Sequence, residues 1–228
     1  MSDELTTGEI SVLGRLVDAS NATLLGEIEN VDGVIKVIYK PIAGERPLWD
    51  FPEGDLALRE VAAYLVSEAL SFGIVPETVL REGPFGLGSV QRWIDTDEEI
   101  DIVTIAQSEN PQILKMALLD VLINNTDRKF GHILPVSEDE IYGCDHGLTF
   151  HTEDKLRTVL WQFAGSPVPD HLLINLQTFS SNIESFDLNT YLSDEDLAAL
   201  AERTTKLLAD PVFPFPSEEW PSVPWPPF

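Results

Sequence analysis

Cysteine is all but missing from this chain. Cys144 is the only one among 228 residues, so no disulfide can form within the chain, a composition that suits a reducing compartment and makes the cytoplasm the expected location. Basic residues are scarce as well. Lys and Arg number 14 against 39 Asp and Glu, and the formal net charge is -25; a nucleic-acid backbone or an anionic membrane surface would be repelled as a general partner. A bound phosphate would need a local basic pocket. No apolar run approaches the roughly 20 residues of a membrane span, and the opening "MSDELTTGEI" lacks the basic region and apolar core of a secretory signal. A soluble protein without stable membrane binding is expected, long enough to bury roughly two-thirds of its unfolded surface.

Hydrophobic patterning divides what is present. "SVLGRLV" (11–17), "TLLGEIE" (23–29) and "VIKVIYKPI" (34–42) are short apolar or alternating runs separated by polar turns, which predicts a three-stranded antiparallel meander. "DLALREVAAYLVSEALSFG" then switches to helical spacing, with Leu58, Val61, Ala62, Leu65 and Ala69 on one face and Gly73 as the stop. "TVLREG" and "GLGSVQRWI", joined by a turn at "GPFG", complete a five-stranded sheet carrying one helix. After the acidic connector "DTDEEID", the Asn-Pro start of "NPQILKMALLDVLINN" opens a mainly helical second part. Two short strands, "HILPV" and "EIYGCDH", surround "SEDE", and helices are expected over "KLRTVLWQF", "HLLINLQTF" and "SDEDLAALAERTTKLLA". The fold class is therefore α+β and two-lobed: a sheet lobe over 1–95, a helical lobe over 96–210, and over 211–228 an extended tail whose seven prolines forbid a regular helix. Its Phe and Trp residues are expected to fold back into a groove of the same chain rather than remain in water.

A sheet lobe, a connector and a helical lobe that begins with two acids is an arrangement suited to phosphoryl transfer, whose parts can be sought one at a time. Lys40 ends the third strand, where its ammonium could reach phosphate oxygens, and Glu60 on the next helix could hold it in an ion pair. "DASNAT", with Ser20, Asn21 and Thr23, joins the first two strands and could cover phosphates, although it is equally an ordinary polar turn. Asp127 follows a helix end as a candidate acceptor of the substrate proton, beside Arg128, whose planar fork can orient a carboxylate or hold a phosphate. Asp145 ends a strand as a hard oxygen ligand for magnesium, and Gly147 after it leaves room for close backbone approach.

In this order the residues resemble the catalytic core of the phosphatidylinositol 3- and 4-kinase-like superfamily, and in particular a small bacterial branch of it. "LREVAAYLVSEAL", "GSVQRWI", "NTDRKFGHIL" and "DHGLTF" carry the resemblance, which spans roughly residues 10–165. It implies a kinase-like fold, ATP with Mg2+ or Mn2+, Lys40 on the phosphates, Glu60 paired with it, Asp127 and Arg128 in the "DRxxxN" catalytic loop and Asp145 in the "DxG" metal motif. It also places Gln91, Arg92 and Trp93 at the connector that meets adenine. Three positions depart from the pattern. His132 stands where the metal-binding Asn belongs, and imidazole suits magnesium less well than an amide oxygen; Lys129 replaces the His that often follows "DR"; and His146 sits inside "DxG".

The expected activity is ATP-dependent transfer to a hydroxyl of a soluble small molecule, a protein or a lipid head group. Lys155 and Arg157 in "HTEDKLRTVLW" could meet an acidic group of that substrate or simply open an amphipathic helix. Alternatives are an ATP-binding pseudokinase or regulatory module, nucleotidyl transfer, or a metal centre built from His132, Asp145, His146 and His151.

Overall fold

The structure is a computed structural model that describes residues 3–16, 22–30, 33–46, 48, 51 and 55–228. After a one-turn helix α1 (Asp3–Thr6), strands β1 (Ile10–Arg15), β2 (Leu24–Asn30) and β3 (Gly33–Pro41) form the expected meander. Helix α2 (Leu56–Ala69) and the hairpin of β4 (Thr78–Gly83) and β5 (Gly86–Arg92) follow. All five strands join one antiparallel sheet in the order β1-β2-β3-β5-β4, with Lys40 of β3 opposite Ser89 of β5. The remainder is mainly helical: α3 (Ile102–Ala106), α4 (Pro111–Leu122), the short hairpin of β6 (Ile133–Pro135) and β7 (Ile141–Gly143), then α5 (Asp170–Asn182) and α6 (Asp194–Ala209). This is the expected α+β arrangement, an antiparallel sheet half followed by a mainly helical half.

Alternation along β3 explains how Lys40 reaches the inner face. Val37 and Tyr39 are buried in a small core with Leu5, Ile10, Leu24, Ile28, Val79 and Val90. Lys40, one residue on, points to the opposite face. Helix α2 turns a broader face inward than its apolar spacing suggests. Leu56, Ala57, Glu60, Ala63, Val66 and Ser67 are buried, whereas Leu58, Leu65 and Ala69 are only partly so. One acid thus lies among apolar neighbours, and its partners are found in the cleft. Pro111 opens α4 behind Asn110, whose side chain accepts from Gln112 N, and Ser193 with Asp196 forms a capping box on α6.

"KLRTVLWQF" is not a helix. Its backbone is already committed sideways: Arg157 N donates to Asn125 O (2.9 Å), Val159 N to Arg128 O (3.2 Å) and Thr158 N to Ser222 O (3.0 Å). Only Trp161–Phe163 makes a 3-10 turn. Helical spacing of apolar residues was outweighed by tertiary hydrogen bonds to two other segments. The tail supplies one of them. Phe213 is buried against Phe163, the Trp161 indole donates to Ser222 O (2.9 Å), and Phe130 N donates to Pro227 O (2.8 Å). Phe215 and Trp225 remain exposed, so only part of the aromatic content of the tail enters the groove.

Candidate active site

Lys40 is the centre of the cleft. Its ammonium bonds Glu60 Oε1 and, at 2.7 Å, Asp145 Oδ1. Burial alone would lower the Lys40 pKa, but the Asp145 and Glu60 carboxylates outweigh it and hold the amine protonated well above its ordinary range. The second Glu60 oxygen accepts from His146 N at 2.9 Å, so one carboxylate ties β3 to the loop after β7. Lys40 in turn holds Asp145 far below the usual carboxylate range. Asp145 is exposed and adopts a left-handed backbone at φ 57°, a conformation Asp tolerates better than most residues. Behind it Gly147 lies flat against α2: a Cβ there would come within 3.2 Å of Leu56 Cβ.

Asp127 lines the same pocket as Lys40, Glu60 and Asp145, together with Thr23, Glu45 and Leu148. It receives Lys129 Nζ at 3.3 Å. Burial raises its pKa, an effect that the Lys129 charge opposes. His132 is largely buried, with Nε2 3.3 Å from Asp145 Oδ2 and Nδ1 3.4 Å from Lys129 N. A backbone N–H can only donate, so Nδ1 is the acceptor and the imidazole proton belongs on Nε2, facing Asp145. Burial pushes the His132 pKa down to about 4, leaving the ring neutral.

Arg128 is placed beneath the cleft rather than in it. It is fully buried, and the carboxylate it orients belongs to Asp120: Nε lies 3.1 Å from both oxygens and Nη2 2.9 Å from Oδ1. Nη1 donates to Cys144 O (3.0 Å), and Nη2 meets His146 Nε2 at 2.6 Å. Asp120 also accepts from Asn125 Nδ2 and Thr158 Oγ1. The Asn125 side-chain oxygen takes Asp127 N at 3.0 Å. A guanidinium engaged on all sides cannot hold a substrate phosphate, so its phosphate-binding expectation gives way to a structural one.

The other expected contacts are distributed unevenly. Ser20 and Asn21 lie outside the described residues. Gln91 is buried with its amide donating to Thr78 Oγ1 (2.8 Å), and Arg92 pairs with Glu4 (2.7 Å) and Glu77 (3.2 Å). The Trp93 indole donates to Asp95 (2.9 Å) and its backbone N–H to Lys36 O (3.0 Å). Among the described residues no three His, Cys, Asp or Glu side chains converge to hold a metal, so His132, Asp145, His146 and His151 do not form a joint centre. Lys155 is buried, pairs with Glu153 at 2.9 Å and lies over the Trp220 ring.

Sequence reasoning missed Asp120, Asn124 and Glu45. Asp120 had a readable signal, a lone acid within the apolar run "MALLDVLINN" eight residues before an Arg. Asn124, left-handed at φ 49°, donates to His151 O and Glu153 O and accepts from Lys155 N, which fixes the loop after Phe150. The Glu45 carboxylate accepts from Leu56 N (3.2 Å) and Ala57 N (2.8 Å), satisfying the start of α2 from a distance in sequence that no local motif announces.

The chain is 38% identical over 262 aligned residues to Protein Rv2133c of Mycobacterium tuberculosis, an alignment covering 98% of this chain and 94% of that protein. It belongs to the family of that protein. No family model matches the sequence. In fold, the family member described here is similar to the crystal structure of a Helicobacter pylori proinflammatory kinase, CtkA, with a TM-score of 0.54, 13% identity, and coverage of 90% of this chain and 93% of the other. At that identity the likeness establishes a kinase-like fold.

Proposed function

We propose that this chain is an ATP-dependent phosphotransferase of the phosphatidylinositol 3- and 4-kinase-like type acting on a hydroxyl group. The observation that carries the reading is the Lys40 ammonium bonded to Glu60 and Asp145 in a pocket that Asp127 also lines. Those are the cation, its holder, a metal-binding acid and an acid for the acceptor, gathered from β3, α2 and two loops of the other half. Lys40 binds phosphate oxygens, and Glu60 keeps it in place when Asp145 turns to other work. Asp127 accepts or orients the hydroxyl proton, its basicity increased by burial. In the reaction the acceptor oxygen bonds to the terminal phosphorus, the bond from that phosphorus to the bridging oxygen breaks, ADP leaves, and the acceptor proton passes to Asp127 or to solvent.

The donor set fits one Mg2+ or Mn2+ through the exposed Asp145 carboxylate, which supplies hard oxygens. Such an ion would neutralise charge on the phosphates. His132, considered from the sequence as a second ligand, is read instead as the donor that orients Asp145, because its Nε2 carries the proton. Ser20 and Asn21 are proposed to cover the phosphates. The segment around Gln91 and Trp93 is proposed to frame adenine by backbone and ring surface, since both polar side-chain groups are already paired. The division near residue 95 and the tail from 211 belong to the same proposal.

A second reading, an ATP-binding regulatory module without turnover, is favoured by His132 at the usual Asn position. A binding titration of labelled ATP with Mg2+ or Mn2+, wild type against Asp145→Asn, followed by product analysis, separates them. Metal-dependent binding that is lost in the variant, with ADP formed, supports the kinase; AMP formation indicates nucleotidyl transfer, and binding without turnover the regulatory module. Absence of any ATP binding overturns all three.

A further inference from the structure

Arg157 stands out among the scarce cations because its side chain is unused. Its backbone is locked to the catalytic loop on both sides: Arg157 N donates to Asn125 O at 2.9 Å, and Arg128 N donates to Arg157 O at 3.1 Å. These two bonds bracket Asp127 and set residue 157 beside it. The guanidinium nevertheless forms no hydrogen bond or ion pair among the described residues, and its Nε is buried without a partner. A buried guanidinium N–H left unsatisfied is costly unless a ligand completes it. The neighbouring cations are already engaged, Lys129 with Asp127 at 3.3 Å and Lys155 with Glu153 at 2.9 Å. In a chain of net charge -25, leaving one arginine open beside the candidate acceptor acid is an arrangement that calls for an anion.

Resting on the phosphotransferase reading above, we propose that Arg157 is a specificity-determining residue and that the acceptor is a small soluble hydroxyl compound bearing a phosphate or carboxylate group. Arg157 takes that anion by its planar fork while Asp127 faces the hydroxyl; Lys129, on the same loop, adds positive charge between them. A fork of parallel donors fixes orientation as well as charge, so the anion sets which hydroxyl is presented. The overall charge argues for a small ligand. An acidic protein or an anionic membrane would be repelled over its whole surface by the acidic chain, whereas a small anion within a few ångströms of a guanidinium is governed by the local field. The Arg157 charge also bears on Asp127, lowering its proton affinity, so filling the anion site would restore basicity to Asp127 when the acceptor is present.

The experiment is a calorimetric titration of inorganic phosphate, and separately acetate, into the full chain, both without nucleotide and saturated with ADP and Mg2+. Wild type is compared with Arg157→Gln and Arg157→Lys, with circular dichroism confirming that each is folded. The expected result is phosphate binding weakened about tenfold or more in Arg157→Gln and less in Arg157→Lys. Equal affinity in wild type and Arg157→Gln, or binding of neither phosphate nor acetate by wild type, overturns the proposal. Acetate bound as well as phosphate assigns a carboxylate-bearing acceptor, and phosphate alone a phosphorylated one. In a second arm ADP formation is followed with glycerol against glycerol phosphate; preference for the neutral member overturns the inference. Sedimentation with anionic-lipid vesicles that depends on Arg157 would move the anion to a membrane headgroup and overturn the soluble acceptor. Failure of wild type to bind nucleotide would sink the phosphotransferase reading alone, because the phosphate difference between wild type and Arg157→Gln is measured independently of turnover.

Discussion

The floor of the cleft and its rim use the same kinds of residue for opposite ends. On the floor, Arg128 and Asp120 are both fully buried, and the pair is engaged by Asn125, Thr158, His146 and the Cys144 and His132 carbonyls. On the rim, Lys40 bonds an Asp145 whose side chain is 52% exposed, and next to the Asp127 loop Arg157 has no ion-pair partner among the described residues. The floor satisfies its charges internally and thereby fixes where the loop residues 125–128 and 144–146 stand. The rim leaves its charges open to exchange. A buried pair contributes little net stability yet is costly to break, which suits a scaffold, whereas half-solvated pairs can trade partners at low cost, which suits a site.

Breaking the floor should produce the largest effect. Asp120→Ala leaves Arg128 buried and unpaired, and denaturant unfolding should show a loss of roughly 3–5 kcal/mol; a loss below about 1 kcal/mol would mean the floor is not the fixed element of this comparison. A rim substitution should do the reverse. Asp145→Asn is expected to leave the melting temperature nearly unchanged while ADP formation falls on the order of 100-fold or more, and coupled loss of stability and activity would erase the distinction. Thr158→Val sharpens it on a smaller scale: removing one of several donors to Asp120 should cost about 1 kcal/mol in the same unfolding measurement.

The smallest effect is in pH dependence. Burial raises the pKa of Asp127, so as pH falls Asp127 takes up its proton earlier than a solvated Asp, and the acid limb of kcat/KM should lie above the ordinary Asp value of about 3.9. Lys129 opposes that rise, so Lys129→Met should move the limb further up. A limb at the ordinary value in both proteins would remove Asp127 from the acceptor side of the rim.

Much of the rim could be read from the residues, because Lys40, Glu60, Asp127 and Asp145 are polar groups at positions where strand alternation, helix packing or a glycine turn announces them. The floor was legible only in hindsight. The sequence sets Arg128 beside Asp127 without naming the carboxylate it orients, and the guanidinium turns to one on α4, Asp120. The stretch 155–163 was misjudged for a related reason: its apolar spacing fits a helix, but its backbone groups are taken by Asn125, Arg128 and Ser222.

By itself the sequence determined the strand order in the chain, the helices with their caps at Asn110 and Ser193, and the identity of the charged residues available for chemistry, because period, capping and turn preferences are local. The pairing of those charges was decided only by the tertiary structure. Glu60 and Asp145 holding Lys40, Asp120 holding Arg128 and Arg157 left open beside Asp127 depend on distances between segments up to 105 residues apart, as between Lys40 and Asp145. Burial then sets what each pairing costs, and it arises only when the two halves close on one another.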